Sequence, residues 1–216
     1  MIPDIYIDDE SILKNGWVRE NIDFPIPQSQ TETVIVPGRN TPIRFSEALG
    51  LISFKPRAFT ITLSMLGTRS QFDALVLTAS NKYAGRLCRV RTSEEPKLFA
   101  VGTLQLSPSY DPLTGKGQLV MESSDADSYR YHVDMTEIVF TGSGTVVLAN
   151  DYMPVVPIVV TTADTALSWK IETDSFHKTL SAGTWELPEL QLFYGENSIK
   201  VEGDGTTIFR YREGCL

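Results

Sequence analysis

The stretch Phe59-Thr60-Ile61-Thr62-Leu63-Ser64-Met65 decides the fold class of this chain. Its apolar side chains occupy alternate positions, and a hydroxyl-bearing side chain stands between each pair. Successive side chains of a strand point to opposite faces, so this alternation predicts a strand with one buried and one exposed face. Shorter apolar runs rich in β-forming residues, at 33–36 and 118–121, predict further strands.

A later strand-like run changes its alternation partway along. Phe99 and Val101 share one parity, whereas Leu104 and Leu106 share the other. Gly102 lies where the alternation changes. Because an extra residue in one strand resets which face each side chain occupies, the pattern predicts a β-bulge at this glycine.

One segment has the pattern of a helix. A single apolar stripe at helical spacing is formed by Phe72, Leu75, Val76, Ala79 and Tyr83. Thr68 and Gln71 have the spacing of a capping box, with Ser70 as an alternative cap, and Gly85 is placed to end the helix. One helix among many strands predicts an all-β fold with one packed helix, a β-rich α+β protein.

Further alternating segments lie in the last third of the chain, at 166–172, 185–187 and 197–202. Gly203-Asp204-Gly205 then leads into 206–211, which predicts a β-hairpin. Short strands separated by turn residues predict a second β-sandwich.

The best candidate for a linker between two domains is Thr141-Gly142-Ser143-Gly144, because glycine and serine favour irregular backbone. We therefore place the boundary near Phe140, within about four residues. This predicts one domain over residues 1–140 and a second over residues 141–216.

The charge balance excludes several classes of protein. The chain has 216 residues and a formal net charge of −8, which disfavours proteins built to bind phosphate backbones or anionic membranes. The N-terminus lacks a signal-peptide pattern, and no apolar run is long enough to span a bilayer. We therefore expect a protein made and folded in a cytoplasm, without membrane insertion.

Several separated segments together resemble one family. They are residues 4–10, Gly16-Trp17, Phe24-Pro25-Ile26-Pro27, the turn Val36-Pro37-Gly38-Arg39-Asn40, the helix at 68–83 with Gly85-Arg86-Leu87, residues 190–201 and the closing residues 209–216. In this order they resemble the distal tail proteins of siphophages. No single motif is specific, so the resemblance depends on the order of the segments and on the two-module layout.

The resemblance implies an N-terminal β-sandwich or barrel that assembles into a hexameric ring, and a C-terminal galectin-like β-sandwich on its rim. The ring would join the tail tube protein to the tip, the tail-associated lysin or the receptor-binding proteins. DNA would pass through its channel without being specifically bound. The expected location is the tip of the virion tail, after assembly in the host cytoplasm. An acidic chain suits such a channel, because like charges do not attract DNA to the wall.

Catalytic groups are few. The chain has two cysteines, Cys88 and Cys215, and two histidines, His132 and His177. A catalytic Cys88–His132 pair is one interpretation, but we favour a buried thiol and a surface imidazole because no further catalytic group supports the pair. The cysteine spacing indicates neither a zinc site nor a disulfide scaffold, although a single Cys88–Cys215 disulfide remains an alternative. We predict no enzyme activity, no catalytic residues and no cofactor.

Acidic and aromatic residues offer two kinds of binding site. Asp8-Asp9-Glu10 and Asp125-Ala126-Asp127 supply oxygen atoms, but neither has the spacing of a calcium loop, so we predict no metal site. Trp169 and Trp185 would be the sugar platforms of a carbohydrate-binding adhesion module, which is our alternative function. Each shares its parity with neighbouring apolar residues, so we interpret both as core residues.

A short basic run comprises Arg86, Arg89 and Arg91. On a strand, Arg89 and Arg91 face the same way, which favours pairing with acidic residues at a subunit interface. Nucleic-acid recognition is the weaker interpretation, because no aromatic or glycine-rich platform accompanies the run.

Overall fold

The computed structural model describes residues 2–30, 32–35, 37–38, 43–45 and 52–216. The chain forms two compact units, Met1–Arg130 and Tyr131–Leu216. In the described ranges the protein is mostly β-structure with a single α-helix, in agreement with the predicted fold class. No helix in those ranges is both long enough and apolar enough to cross a membrane.

The described residues of the first unit form ten strands and the helix. They are β1 (Ile5–Ile7), β2 (Glu10–Ser11), β3 (Val18–Asp23), β4 (Glu32–Val34), β5 (Ile43–Phe45), β6 (Arg57–Leu66), α1 (Arg69–Tyr83), β7 (Leu87–Thr92), β8 (Leu98–Thr103), β9 (Gln105–Asp111) and β10 (Lys116–Ala126). Four strands pair in the order β2-β1-β7-β8, and four others in the order β3-β6-β10-β9. A short antiparallel ladder joins β4 to β5.

The predicted strand at 59–65 is confirmed as the centre of β6. Phe59, Ile61 and Leu63 are buried and the threonines between them are only partly so. On its two edges β6 pairs antiparallel with β3 and with β10. Its apolar face shares one core with apolar residues of β1, β7, β8, β10 and α1.

The predicted helix and its cap are confirmed. Helix α1 begins after Thr68, whose hydroxyl accepts the Gln71 amide proton at 3.3 Å. In return, the side-chain oxygen of Gln71 accepts the Thr68 amide proton at 2.9 Å. Gly85 follows the helix with φ +68°, a conformation that costs glycine little. Phe72, Ala79 and Tyr83 are buried against the sheet.

The predicted bulge at Gly102 is wrong. Strand β8 ends at Thr103 and β9 begins at Gln105, so the alternation changes because the chain leaves one sheet and enters the other at Leu104. Gly102 is needed for a different reason: a Cβ atom there would lie 2.8 Å from the Cβ of Ala126.

The strand predicted at 33–36 and the turn predicted after it fall only partly on described residues. Strand β4 ends at Val34, and Pro37 and Gly38 lie in a turn in which Gly38 has φ +85°. Val36, Arg39 and Asn40 lie outside the described residues.

The second unit contains the remaining strands, the first of which begins at the last residue of the first unit. They are β11 (Arg130–His132), β12 (Thr136–Thr141), β13 (Gly144–Asn150), β14 (Ile158–Thr161), β15 (Thr165–Ile171), β16 (Asp174–Leu180), β17 (Gly183–Glu186), β18 (Gly195–Glu202), β19 (Thr206–Tyr211) and β20 (Gly214–Cys215). Two four-stranded sheets have the orders β12-β19-β14-β17 and β13-β18-β15-β16. Apolar residues from both sheets form one core.

The predicted linker at 141–144 is wrong, because it is a turn inside the second unit. Phe140 belongs to β12, which pairs with β19, so the division between the units lies about ten residues before the predicted boundary. The turn carries the chain from β12 in one sheet to β13 in the other. Glycine is required at Gly142, which has φ +80°.

The predicted hairpin at 203–205 is also wrong. Strands β18 and β19 belong to different sheets, so this turn also passes from one sheet to the other. It lies beside the turn at 141–144: the Ser143 hydroxyl donates to the Gly203 carbonyl at 3.1 Å, and the Gly142 amide donates to the Gly205 carbonyl at 3.0 Å.

The contact between α1 and β10 gives a test of the first core. A Cβ atom on Gly117 would overlap the ring of Phe72. We expect Gly117→Ala to lower the free energy of unfolding by about 1–3 kcal/mol, because a methyl group added to a packed core forces its neighbours apart. Chemical denaturation would measure this change.

The control is a double-mutant cycle with Phe72→Ala. Once the ring is gone, the added methyl has space, so the double variant should lose less stability than the sum of the two single losses. Additive losses would contradict the proposed packing of Phe72 on Gly117.

Candidate functional site

The basic run on β7 faces acidic residues of the same chain. Strand β7 pairs with β1, which brings Arg89 and Arg91 beside the turn that follows β1. Asp9 in that turn lies 3.3 Å from each of the two guanidinium groups. The Arg91 guanidinium also lies 4.8 Å from the centroid of the Tyr6 ring, as in a cation–π contact. The acidic partner that we expected at a subunit interface is therefore present within the subunit.

The two acidic clusters do not converge on a metal position. The Asp8 carboxylate accepts the Arg89 amide proton at 2.9 Å, and Glu10 pairs with Lys82 of α1. The hydrogen bond from Lys82 lowers the pKa of Glu10. Asp125 accepts hydrogen bonds from Thr103 and Ser123, and those from Thr103 lower the pKa of Asp125. Each of these carboxylates therefore binds donor groups of the protein itself.

The Cys88 thiol is unsuited to nucleophilic chemistry. It lies on β7 with 1% of its surface exposed. Burial, with a smaller effect of the Asp8 carboxylate, raises the pKa of Cys88 to about 11. A thiol with this pKa is protonated at neutral pH, and the thiol is a far weaker nucleophile than the thiolate.

His132 has neighbours that the sequence did not indicate. Its Nε2 atom lies 3.1 Å from Oδ2 of Asp151, and Cys215 lies beside this pair. The three residues come from separate segments of the second unit. Metal-binding and catalytic motifs are identified by short spacings in the sequence, and these three residues lie too far apart for any such motif. The sequence alone therefore did not predict the cluster.

The two tryptophans of the second unit have different environments. Trp169 is buried, stacks on Phe176 with ring centroids 5.5 Å apart and donates its indole N–H to the Glu189 carbonyl. The prediction that Trp185 is a core residue is wrong, because 37% of its surface is exposed. It lies on β17, the edge strand of its sheet, and its indole N–H donates to the Ser181 carbonyl at 2.9 Å.

Exposed aromatic residues also occur elsewhere in this unit. Tyr152 and Tyr194 have ring centroids 6.4 Å apart, and 75% of the Tyr194 surface is exposed. This pair was not identified from the sequence, where the two tyrosines lie in separate loops.

Two exposed leucines lie at one end of the sheet that contains β6. Leu66 ends β6 and lies opposite Lys116, and Leu113 lies in the turn before β10. Their exposed fractions are 79% and 95%. The Gly67 amide donates to the Gly115 carbonyl at 2.9 Å, which holds the two segments together.

A comparison with protein-family models finds no match, and a comparison with curated proteins finds none either. Among solved structures, the chain is similar to the Dit protein (gp 19.1) of phage SPP1, described as a paradigm of the hub adsorption apparatus in Gram-positive-infecting phages. The TM-score is 0.72, the similarity covers 100% of each chain, and 11% of residues are identical. The two proteins therefore share a fold.

The different environments of the two thiols can be tested by chemical labelling. Cys215 is partly exposed, whereas Cys88 is buried with a raised pKa. We expect a thiol reagent at pH 7.5, in buffer with EDTA, to modify Cys215 in the native protein and Cys88 only after denaturation. Mass spectrometry of the labelled peptides measures this, with Cys215→Ser as the control. Rapid native labelling of Cys88 would contradict the buried environment.

Proposed function

We propose that this protein is a non-enzymatic structural hub of a phage tail tip. The observation that carries the proposal is the shared fold with a phage hub protein along the whole length of both chains. The arrangement of the candidate catalytic groups agrees with it, because Cys88 is protonated at neutral pH and the clustered carboxylates bind protein donors.

In this proposal the subunits form a closed ring of six, which joins the tail tube protein to the tip or receptor-binding proteins. Closed symmetry satisfies every copy of an interface, so it produces a particle of defined size. The channel of the ring lets DNA pass without specific binding, as the net charge of −8 favours. The second unit, a two-sheet structure that we propose to be galectin-like, lies on the rim of the ring.

We assign the ring contacts to the first unit. Leu66 and Leu113 expose most of their apolar surface to water, which is energetically unfavourable. Contact with a second copy of the chain would bury this surface. They belong to adjacent segments of one sheet end, so a single neighbour can cover both.

Light scattering and negative-stain electron microscopy test the ring directly. At micromolar and higher concentrations we expect a mass of six subunits and annular particles with a central channel. A strict monomer over this range that also forms no ring with a tail partner would exclude the hub function.

Two variants test the position of the contacts. Leu66→Asp combined with Leu113→Asp should shift the ring toward monomers, because a buried unpaired carboxylate is strongly unfavourable. The stability of the monomer should change by only about 0.5 kcal/mol per site, since both side chains are exposed. The matched control is Val139→Asp on the second unit, where 58% of the valine is exposed and the ring should persist. Loss of the ring in the control alone would place assembly in the second unit.

A second candidate function is carbohydrate binding by the second unit. Exposed aromatic rings favour it, because sugars stack on them: Trp185 and the Tyr152–Tyr194 pair supply such rings. Glycan-array binding that is lost in Tyr194→Ala or in Trp185→Ala, and retained in Phe176→Leu, which removes a partly buried ring packed on the core, would support this function. Absence of binding to any glycan would leave the hub as the sole role.

A further inference from the structure

His132, Asp151 and Cys215 bring three kinds of metal-binding atom to one place in the second unit. His132 ends β11, Asp151 follows β13, and Cys215 lies in β20. One imidazole nitrogen, one carboxylate oxygen and the sulfur atom all lie within 4.8 Å of one another. Nε2 of His132 lies 3.1 Å from Oδ2 of Asp151.

Backbone hydrogen bonds hold His132 beside the segment that carries Cys215. The His132 amide donates to the Glu213 carbonyl at 2.9 Å. In the other direction, the Arg212 guanidinium donates to the carbonyls of His132 and Val133 at 2.5 and 2.6 Å. These hydrogen bonds hold β11 beside the segment that leads into β20, which brings His132 near Cys215.

The segment that carries Asp151 is held by a buried amide. Asn150 is 3% exposed, and its side-chain N–H₂ group donates to the carbonyls of Met153 and Leu192 at 2.8 and 3.3 Å. The Met153 amide in turn donates to the Gly214 carbonyl at 2.9 Å, next to Cys215. All three ligand-bearing segments are thus connected by hydrogen bonds that do not use the ligand atoms.

The chemistry of the three ligand atoms favours Zn²⁺. Imidazole, carboxylate and thiolate are the three side-chain ligands of Zn²⁺, with bond lengths of about 2.0–2.3 Å. Tetrahedral coordination at these lengths separates the ligand atoms by roughly 3.3–3.7 Å. The imidazole–carboxylate distance of 3.1 Å is already close to this value, and the sulfur lies within 4.8 Å of both atoms. A soft thiolate disfavours Ca²⁺ and Mg²⁺, which take oxygen ligands.

The cluster is accessible to an ion from solvent. The side chains of His132 and Asp151 are 36% and 43% exposed, and Cys215 is partly exposed. Partial exposure also leaves space for a water molecule as a fourth ligand.

The geometry points to a Zn²⁺ site formed by His132, Asp151 and Cys215, with water as the fourth ligand. Metal binding at this site would deprotonate the Cys215 thiol and release its proton to solvent. It would also cross-link β11, the segment after β13 and β20, so the bound ion would stabilise the second unit.

The first experiment is titration of the full chain, after treatment with a chelator, with Co²⁺ and then Zn²⁺. We expect one Co²⁺ per chain, with the ultraviolet charge-transfer band of a cobalt–thiolate bond, which an excess of Zn²⁺ abolishes. In addition, Zn²⁺ should protect Cys215 from thiol reagents and raise the melting temperature. Buried Cys88 serves as the internal reference for labelling in the denatured protein.

The variants Cys215→Ser, His132→Gln and Asp151→Asn should each weaken Zn²⁺ binding by roughly 10–100-fold or more, because loss of a ligand exceeds the effect of losing an outer-shell contact. The thiolate band should disappear in Cys215→Ser. His177→Gln is the matched control, since His177 is the other histidine of the chain and binds Ser168 instead. Circular dichroism without metal checks that each variant is folded. Absence of the thiolate band in the wild type, or Zn²⁺ affinity unchanged in Cys215→Ser, would overturn the site.

Discussion

The alternation of Phe59, Ile61 and Leu63 with small polar residues is the constraint on which the first unit depends. It gives β6 one apolar face and two edges that both form ladders, so the strand organises the sheet β3-β6-β10-β9. A shift of register by one residue would expose the whole apolar face, which makes the observed pairing with β3 and β10 strongly preferred. Helix α1 covers the sheet through Phe72, and Gly117 of β10 leaves the space for this ring.

The second unit depends on a different constraint, the repeated passage of the chain between two sheets. The turns at 141–144 and 203–205 both cross from one sheet to the other and are hydrogen-bonded together. The turn at 162–164 joins β14 to β15 in the other sheet and contacts the same region, since the Thr162 hydroxyl accepts the Thr206 amide proton at 2.8 Å. Three crossings at one end explain why glycines are concentrated there: a Cβ atom on Gly205 would lie 2.8 Å from the Cβ of Ala163.

The local sequence pattern predicted individual strands and the helix, whereas the strands that each one pairs with depend on packing between distant parts of the chain. The alternation in β6 and the capping box at Thr68 are properties of short segments, so they were predicted correctly. Whether a glycine-rich turn closes a hairpin, links domains or crosses between sheets depends on residues far away in sequence, and the interpretations of the turns at 141–144 and 203–205 were wrong for this reason. The bulge predicted at Gly102 was wrong for a related reason, because a change of alternation does not distinguish a bulge from a chain that passes into another sheet. The alternation of apolar residues predicted that Trp185 is buried, but alternation does not reveal that its strand is an edge strand. The cluster of His132, Asp151 and Cys215 is formed by tertiary structure alone.

The central position of β19 determines when the second unit can fold during synthesis. Strand β19 lies between β12 and β14 in its sheet and supplies Phe209 and Tyr211 to the core. A ribosome must therefore translate beyond residue 211 before this sheet can assemble, whereas the strands of the first unit are complete about 85 residues earlier, at Ala126. Contacts between residues distant in sequence also slow folding. Until β19 has been synthesised, β12 and β14 lack the strand that lies between them, so their unpaired edges are exposed to other chains during that interval.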